Sequence, residues 1–393
     1  MAQKQIVILG ASYGGLSTAH YLLKHVIPKL PEKEYLVTII SSSNQVLCRP
    51  ACPRAMISDD MLPQNNSLFV DVAGCLKQYG SDSVRFINGT AEQLDHVNRT
   101  VTIRTGENID KIEFHALVIA TGASTTSYLF GLNKDSDTLR ASWAAFREAL
   151  PIAKTIVIAG GGPTGVETAG ELGEFLNGKP GWFGNNQTKV QITVIASGSQ
   201  ILPLLRSSIA EKAEVFLSRV GVKVIKNTKV MSVEPHDAGV ESLSTKATLT
   251  LSNGETLEAD LYIPAIGTKP NTQFVSSTLL VPDGRIETNP TFRVEKAGPR
   301  IYALGDAASC ARPAIHNILS SIPLLCVNIK RDLLLDLGQY YKCPGLPKSV
   351  TKFLNRERYN WQRYGVRRRH SRNAASTDRE KQGCRSSNGL SGS

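Results

Sequence analysis

The sequence predicts an α/β fold with two parallel sheets, the second formed by a stretch of chain inserted into the first. Three observations predict it. The apolar run "KQIVIL" leads straight into "GASYGG", and "TIVIA" leads straight into "GGGPTG" near the middle of the chain. Each turn is followed by a segment of helical period and then by a further apolar strand, the order that builds a parallel pair. Late in the chain, "RIYALGD" supplies one more short strand after the second unit is complete.

Taken in order, "KQIVILG" is an unbroken apolar run, as expected of a parallel strand buried on both faces. "LSTAHYLLKHV" places its apolar residues at helical spacing, and "EYLVTIIS" completes the first strand–helix–strand unit. "VRFINGTAEQLD", "TVTIRT" and "HALVIATG" then read as short strands with polar turns. The second unit repeats the order with "KTIVIAG", "GVETAGELGEFL" and "VQITVIAS". A hairpin region follows in "VKVIKNTKVMSVEP" and "ATLTLSNGETLEADLYIPAIG", with Asn253 and Gly254 as its turn. The expected bounds are 1–135 and 266–341 for the first domain and 150–265 for the inserted one. Residues 342–393 lack apolar periodicity and read as a basic, disordered tail.

Glycines at such turns have separate duties. The first permits a tight bend out of the strand, the second lets backbone approach a pyrophosphate, and the third lets helix and sheet close up. The anion then rests on free N–H groups at the helix N-terminus. Gly160, Gly162 and Gly165 fit this pattern fully. In the first turn Gly10 and Gly15 hold the outer places, and Ser12 stands in the middle one with Gly14 beside it. One such turn is weak evidence, but two in the same context predict a pair of Rossmann-like dinucleotide-binding domains. Neither has an acid where the second strand ends, where a carboxylate would bond the adenosine ribose. Ser41, Ser42 and Ser43 occupy that place in the first unit, and Ala196 and Ser197 in the second. Without that carboxylate a 2′-phosphate meets no repulsion there, and Arg206 lies downstream.

Composition narrows the remaining classes. The formal charge of +11 suggests nucleic acid or a membrane until it is located. Residues 342–393 hold 13 Lys and Arg against 3 acidic residues, so the rest of the chain is nearly neutral. A solvated tail is favoured over a specific nucleic-acid site. No apolar run approaches the roughly 18–20 residues that span a bilayer. Ala2 stands where N-myristoylation needs glycine, and the first strand starts too early to leave room for a leader. Seven scattered cysteines argue for a reducing compartment. The expected setting is cytoplasmic, with peripheral contact to a membrane surface left open. Cys48 and Cys52, in "CRPAC", read as free thiols, with a redox pair as the alternative.

The set "GASYGG", "HALVIATGAS", "GGGPTGVETAGEL", "ADLYIPAIGTKPNT" and "IYALGDAAS" resembles the pyridine nucleotide–disulfide reductase superfamily in order and spacing. The missing active-site disulfide and the run "RPACPRAMI" are most similar to its apoptosis-inducing-factor-like and ferroptosis-suppressor-like NAD(P)H oxidoreductases, fungal ones in particular. The resemblance covers roughly residues 4–335. It implies FAD on the first domain and NAD(P)H as co-substrate on the inserted one. It places Asp306, of "LGDAA", near the flavin ribityl and phosphate groups, although an N-cap role is also open to it. It sets Arg54 near FAD, Ala91 against adenine, and Thr121 and Gly122 against the flavin. Glu167 matches a glutamate near the flavin–nicotinamide contact, where it orients nicotinamide, relays a proton, or simply favours the helix N-terminus. Relatives continue into a β-rich C-terminal segment. Here "YYKCPGLPKSV" opens it and the Arg-rich run follows, an incomplete or altered C-terminal segment.

The leading expectation is an FAD-dependent oxidoreductase passing hydride from NAD(P)H to flavin and electrons on to a quinone or other small organic acceptor. Respiratory-type quinone chemistry and a tailoring step in a natural-product pathway fit equally. The alternative is a catalytically impaired, nucleotide-sensing binding protein on the same fold. No metal is expected, and the oligomeric state is not legible.

Overall fold

The structure, a computed structural model, describes residues 3–31, 34–62, 68–178, 188–311 and 313–338. The basic run expected at 342–393 lies outside them. The first sheet has five parallel strands in the order Ile301–Ala303, Ala116–Ile119, Lys4–Leu9, Tyr35–Ser41 and Val84–Asn88. Its central strand, Lys4–Leu9, is the one that feeds the first glycine turn. Ile6, Val7 and Ile8 are wholly buried there, which accounts for the unbroken apolar run.

The second sheet orders Val222–Ile225, Gln191–Ile195, Thr155–Ala159 and Leu261–Pro264, again all parallel. Thr155–Ala159 feeds the second turn. Each parallel sheet is accompanied by an antiparallel one of three strands. These are Thr90–Asp95, Thr100–Thr105 and Asn108–Glu113 beside the first, and Val230–Glu234, Ala247–Leu251 and Thr256–Ala259 beside the second. The duplication read from the sequence is therefore a duplication of architecture.

Seven α-helices are described: α1 (Tyr13–Tyr21), α2 (Cys52–Ala55), α3 (Val72–Leu76), α4 (Ser136–Ala149), α5 (Pro163–Asn177), α6 (Ser207–Arg219) and α7 (Ile315–Asp336). The first is shorter than its apolar period predicts. It loosens into a π turn over Leu22–Val26, and Pro28, which has no N–H to donate, follows in a short 3₁₀ turn. "VKVIKNTKVMSVEP" also divides, giving one strand to each kind of sheet. Asn227 takes a left-handed φ of 54° between them, and its N–H donates to Gly198 O at 2.9 Å.

One apolar cluster joins the loop after the first strands to the second sheet. It runs from Leu47, Cys52 and Met56 through Trp143 and Phe146 to Ile156, Ile158 and Leu172. A short antiparallel pair, Ala123–Thr125 with Thr268–Pro270, links the chain entering the inserted unit to the chain leaving it.

The long α7 packs on α1. It is tied to the strand Ile301–Ala303 through Asp332, which accepts from Tyr302 Oη at 2.5 Å and from Arg293 Nε and Nη2 at 2.7 and 2.8 Å. Burial first, and then Asp332, holds the Tyr302 phenol far above its ordinary range. Asp332→Ala strips both partners of their acceptor inside a largely dry site. The expected loss is about 2–3 kcal/mol in denaturant unfolding. A loss below about 0.5 kcal/mol, the scale of an ordinary surface change, would show that the network does not hold α7.

Candidate functional site

The two glycine turns are built alike. Gly10 has φ +98°, and a Cβ there would lie 2.3 Å from Ala120 O. Gly160 has φ +125°, and its Cβ would lie 2.3 Å from Ala265 O. In each turn the next strand of the sheet passes so close that no side chain fits. The third glycine is as constrained: a Cβ on Gly15 would sit 1.7 Å from Gly10 O, and one on Gly165 2.0 Å from Gly160 O. Gly14 differs, since its Cβ would meet Ala120 and Leu304 at an ordinary 3.5 Å.

The middle positions face outward. A Cβ on Gly162 would meet nothing within 4 Å, so packing inside the protein does not demand this glycine. Open room above a helix N-terminus is what a pyrophosphate needs. Ser12 is exposed at the N-cap of α1, and its hydroxyl makes no capping hydrogen bond. That hydroxyl and the first N–H groups of α1 remain available to an anion. On these two observations both turns fit a dinucleotide.

Thr121 and Gly122 follow the strand that crosses Gly10. Asn271 holds them: its Nδ2 donates to Thr121 O at 3.0 Å, its N–H donates to Gly122 O at 3.0 Å, and its carbonyl accepts from Thr121 Oγ1 at 2.7 Å. Its Oδ1 also accepts from Ser124 Oγ at 2.7 Å. In the sequence Asn271 is visible only as the amide of "TKPNT". An amide flanked by Pro and Thr is a turn signal, and nothing local says which turn it serves.

Asp306 sits in the 3₁₀ turn Gly305–Ala307, whose N-cap is Leu304, so its carboxylate is not spent on capping. Its cationic neighbour is Arg49, with Nη1 3.8 Å from Oδ2. Arg49 also reaches Ala123 O at 3.5 Å. Arg54 instead turns to α5, where its Nε donates to Glu171 Oε1 at 3.0 Å and its Nη2 pairs with the same oxygen. Ala91 lies in the strand Thr90–Asp95 opposite Ile103, next to a bulge at Glu92. Tyr13, the first residue of α1, faces Cys48 and Cys52. Burial first, then those two neighbours, pushes its phenol up to about 12. Burial likewise pushes the Cys52 thiol up to about 12, so it is held as a neutral thiol.

Glu167 lies on the exposed rim of α5, one turn before Glu171. Partial loss of water against the protein, followed by the like charge of Glu171, raises its carboxyl above the ordinary glutamate value. The Arg54–Glu171 pair is half exposed, so it contributes little to stability. Its effect is positional, since it ties α2 to α5.

The paired strands beyond Gly122 and Ala265 border one cavity of about 500 Å³. Ser124, Thr125 and Thr126 line it from one side, and Ile266, Gly267 and Lys269 from the other. Residues that continue from the two crossing strands thus meet at a single opening.

Residues 4–325 match the model of the pyridine nucleotide-disulphide oxidoreductase family. The chain belongs to this family. An oxidoreductase of Penicillium herquei, phnG, is 56% identical over 340 residues, which are 85% of this chain and 81% of that one. The oxidoreductase ptaL of Pestalotiopsis fici is 33% identical, covering 85% and 84%. An external alternative NAD(P)H-ubiquinone oxidoreductase of Solanum tuberosum is 26% identical over 81% of this chain and 58% of its own length. Among solved structures, an engineered water-forming NADPH oxidase matches with a TM-score of 0.63 at 20% identity, covering 83% and 69%. The Rhodopseudomonas palustris ferredoxin reductase of the CYP199A2 system gives 0.64 at 17%, covering 84% and 76%. The chain is an oxidoreductase with the two-domain dinucleotide fold. No helix among the described residues is long and apolar enough to cross a membrane.

The charge on Glu171 offers a direct test of the site's electrostatics. In Glu171→Gln, the Glu167 pKa falls, because the like charge is gone while the burial remains. Carboxyl chemical shifts followed against pH would read this, and an unchanged Glu167 midpoint would contradict the assignment. A carboxyl raised in the folded state lends stability at low pH and withdraws it as pH rises through its folded value. The variant therefore loses less stability than the parent across that window.

Proposed function

We propose that the chain holds FAD at the first glycine turn and takes NAD(P)H at the second, passing electrons to a quinone or other small organic acceptor. FAD and NAD(P)H are the pair expected of this family. The observation that carries the reading is the identical locking of both turns beneath strands whose continuations pair with each other. Two dinucleotides held that way bring their far ends to the same opening.

When bound, the flavin supplies two-electron chemistry, receiving hydride from reduced nicotinamide and releasing electrons to an acceptor. The protein's part is binding, orientation and protons. Ser12, Gly14, Gly15 and the start of α1 receive one pyrophosphate, and Gly162 and Gly165 at the start of α5 receive the other. Thr121 and Gly122, fixed by Asn271, present backbone to the isoalloxazine, while Asp306 with Arg49 meets the ribityl side. Ala91 supports the adenine end, and Arg54 acts through Glu171 on the approach of α2 to α5. Glu167, exposed on the rim of α5 and with its carboxyl raised by burial and by Glu171, is suited to carry a proton. The quinone class is supported by the ubiquinone oxidoreductase among the relatives.

An anaerobic titration of the purified protein with reduced nucleotide, followed in the visible range, tests this. A yellow protein whose flavin band bleaches stoichiometrically is expected. A colourless protein that does not take up added FAD would overturn the enzyme reading in favour of a binding protein. In Gly162→Val the fold is retained, because the new side chain enters open space. Reduced-nucleotide affinity falls at least about tenfold, on the scale of lost hydrogen bonds to a charged group. An unchanged affinity would remove the second turn from the nicotinamide site.

A further inference from the structure

We infer that the second domain selects the 2′-phosphorylated coenzyme, NADPH, through the segment that closes over the second glycine turn. The inference rests on reading that turn as the nicotinamide-dinucleotide site.

Two contacts place the segment. Ala196, the first residue past the strand Gln191–Ile195, is so near the turn that a Cβ on Gly161 would lie 2.7 Å from its own Cβ. Six residues on, Leu202 N–H donates to Gly161 O at 2.6 Å. Residues 196–202 therefore fold against the turn itself, where the adenosine ribose lies in this kind of site. A carboxylate here would bond the two ribose hydroxyls and repel a 2′-phosphate. None is present: residues 196–210, "ASGSQILPLLRSSIA", contain no Asp or Glu.

What the segment offers suits an added phosphate. Ser197 and Ser199 are exposed, and their hydroxyls have no hydrogen-bond partner among the described residues. Arg206 is exposed at the N-cap of α6 and forms no ion pair among them. It is held next to the segment by Gln200, whose Nε2 donates to Leu205 O at 3.2 Å and whose Oε1 accepts from Ser207 Oγ at 3.0 Å. The first turn of α6 carries no acid. Glu214, further along the helix, is occupied by Lys226 at 3.0 Å. The mouth of the ribose site thus presents hydroxyls and one unpaired guanidinium, a donor set matched to a phosphate dianion.

The test uses the flavin-loaded protein and two fragments that differ only in the phosphate, 2′,5′-ADP and 5′-AMP, with binding measured by calorimetry. The expected result is at least about tenfold tighter binding of 2′,5′-ADP. Arg206→Gln and Ser197→Glu should each erase most of that advantage, the former leaving 5′-AMP binding within about twofold and the latter leaving it unchanged or tighter, because the new carboxylate repels the 2′-phosphate and bonds the free ribose hydroxyls. Equal or tighter binding of 5′-AMP, or an equal loss of both fragments in Arg206→Gln, would overturn the inference. Failure of both fragments to bind, while NADH and NADPH still bleach the flavin, would also overturn it and leave the functional reading standing. Failure of fragments and coenzymes together would end both.

Discussion

Everything in this molecule depends on two places where backbone crosses backbone too closely for a side chain. At Gly10 and at Gly160 the carbonyl of the neighbouring strand occupies the position a Cβ would take, at the same 2.3 Å. The left-handed φ at each removes the remaining choice, since other residues adopt it only with strain. Once the bend is fixed, Gly15 and Gly165 let the helix settle against it. The N-termini of α1 and α5 are then presented at the carboxyl edges of their sheets, where ligands of open parallel sheets bind. The repeated geometry shows that the resemblance between the turns is structural and not only a match of letters.

The two halves are joined through contacts of modest strength but defined direction. Asn271 stitches the turn Thr121–Gly122 with three hydrogen bonds, and Ser124 with a fourth, from a segment far along the chain. The pair Arg54–Glu171 adds little energy because it is half solvated, yet it gives α2 a directed contact with α5. The apolar cluster that joins Cys52 and Met56 to Ile156 and Leu172 supplies the actual cohesion. Stability and placement are thus carried by different residues, and substitutions in one set should leave the other largely intact.

Much of this was legible in the sequence because its causes are local. The apolar runs named the central strands, and glycine spacing named both turns. "RIYALGD" returns its strand to the first sheet, as its order predicts. What escaped was long-range. "CRPACPRA" offers two arginines, and only the folded chain shows that Arg49 faces Asp306 while Arg54 reaches Glu171. The clasp by Asn271 escaped for the same reason, as did the division of "VKVIKNTKVMSVEP" between two sheets, which turns on one left-handed Asn227. Hydrophobic period reports burial, but it does not report which sheet does the burying.

The central claim is that the two turns hold two dinucleotides whose far ends meet at one opening. A crystal structure of the protein grown with FAD and NADP⁺ tests it most directly. The account predicts one pyrophosphate over Ser12 to Gly15, a second over Gly162 to Gly165, and both ring systems near Thr121, Gly122 and Glu167. Density for either dinucleotide away from its turn, or two ring systems that do not approach each other, would contradict it.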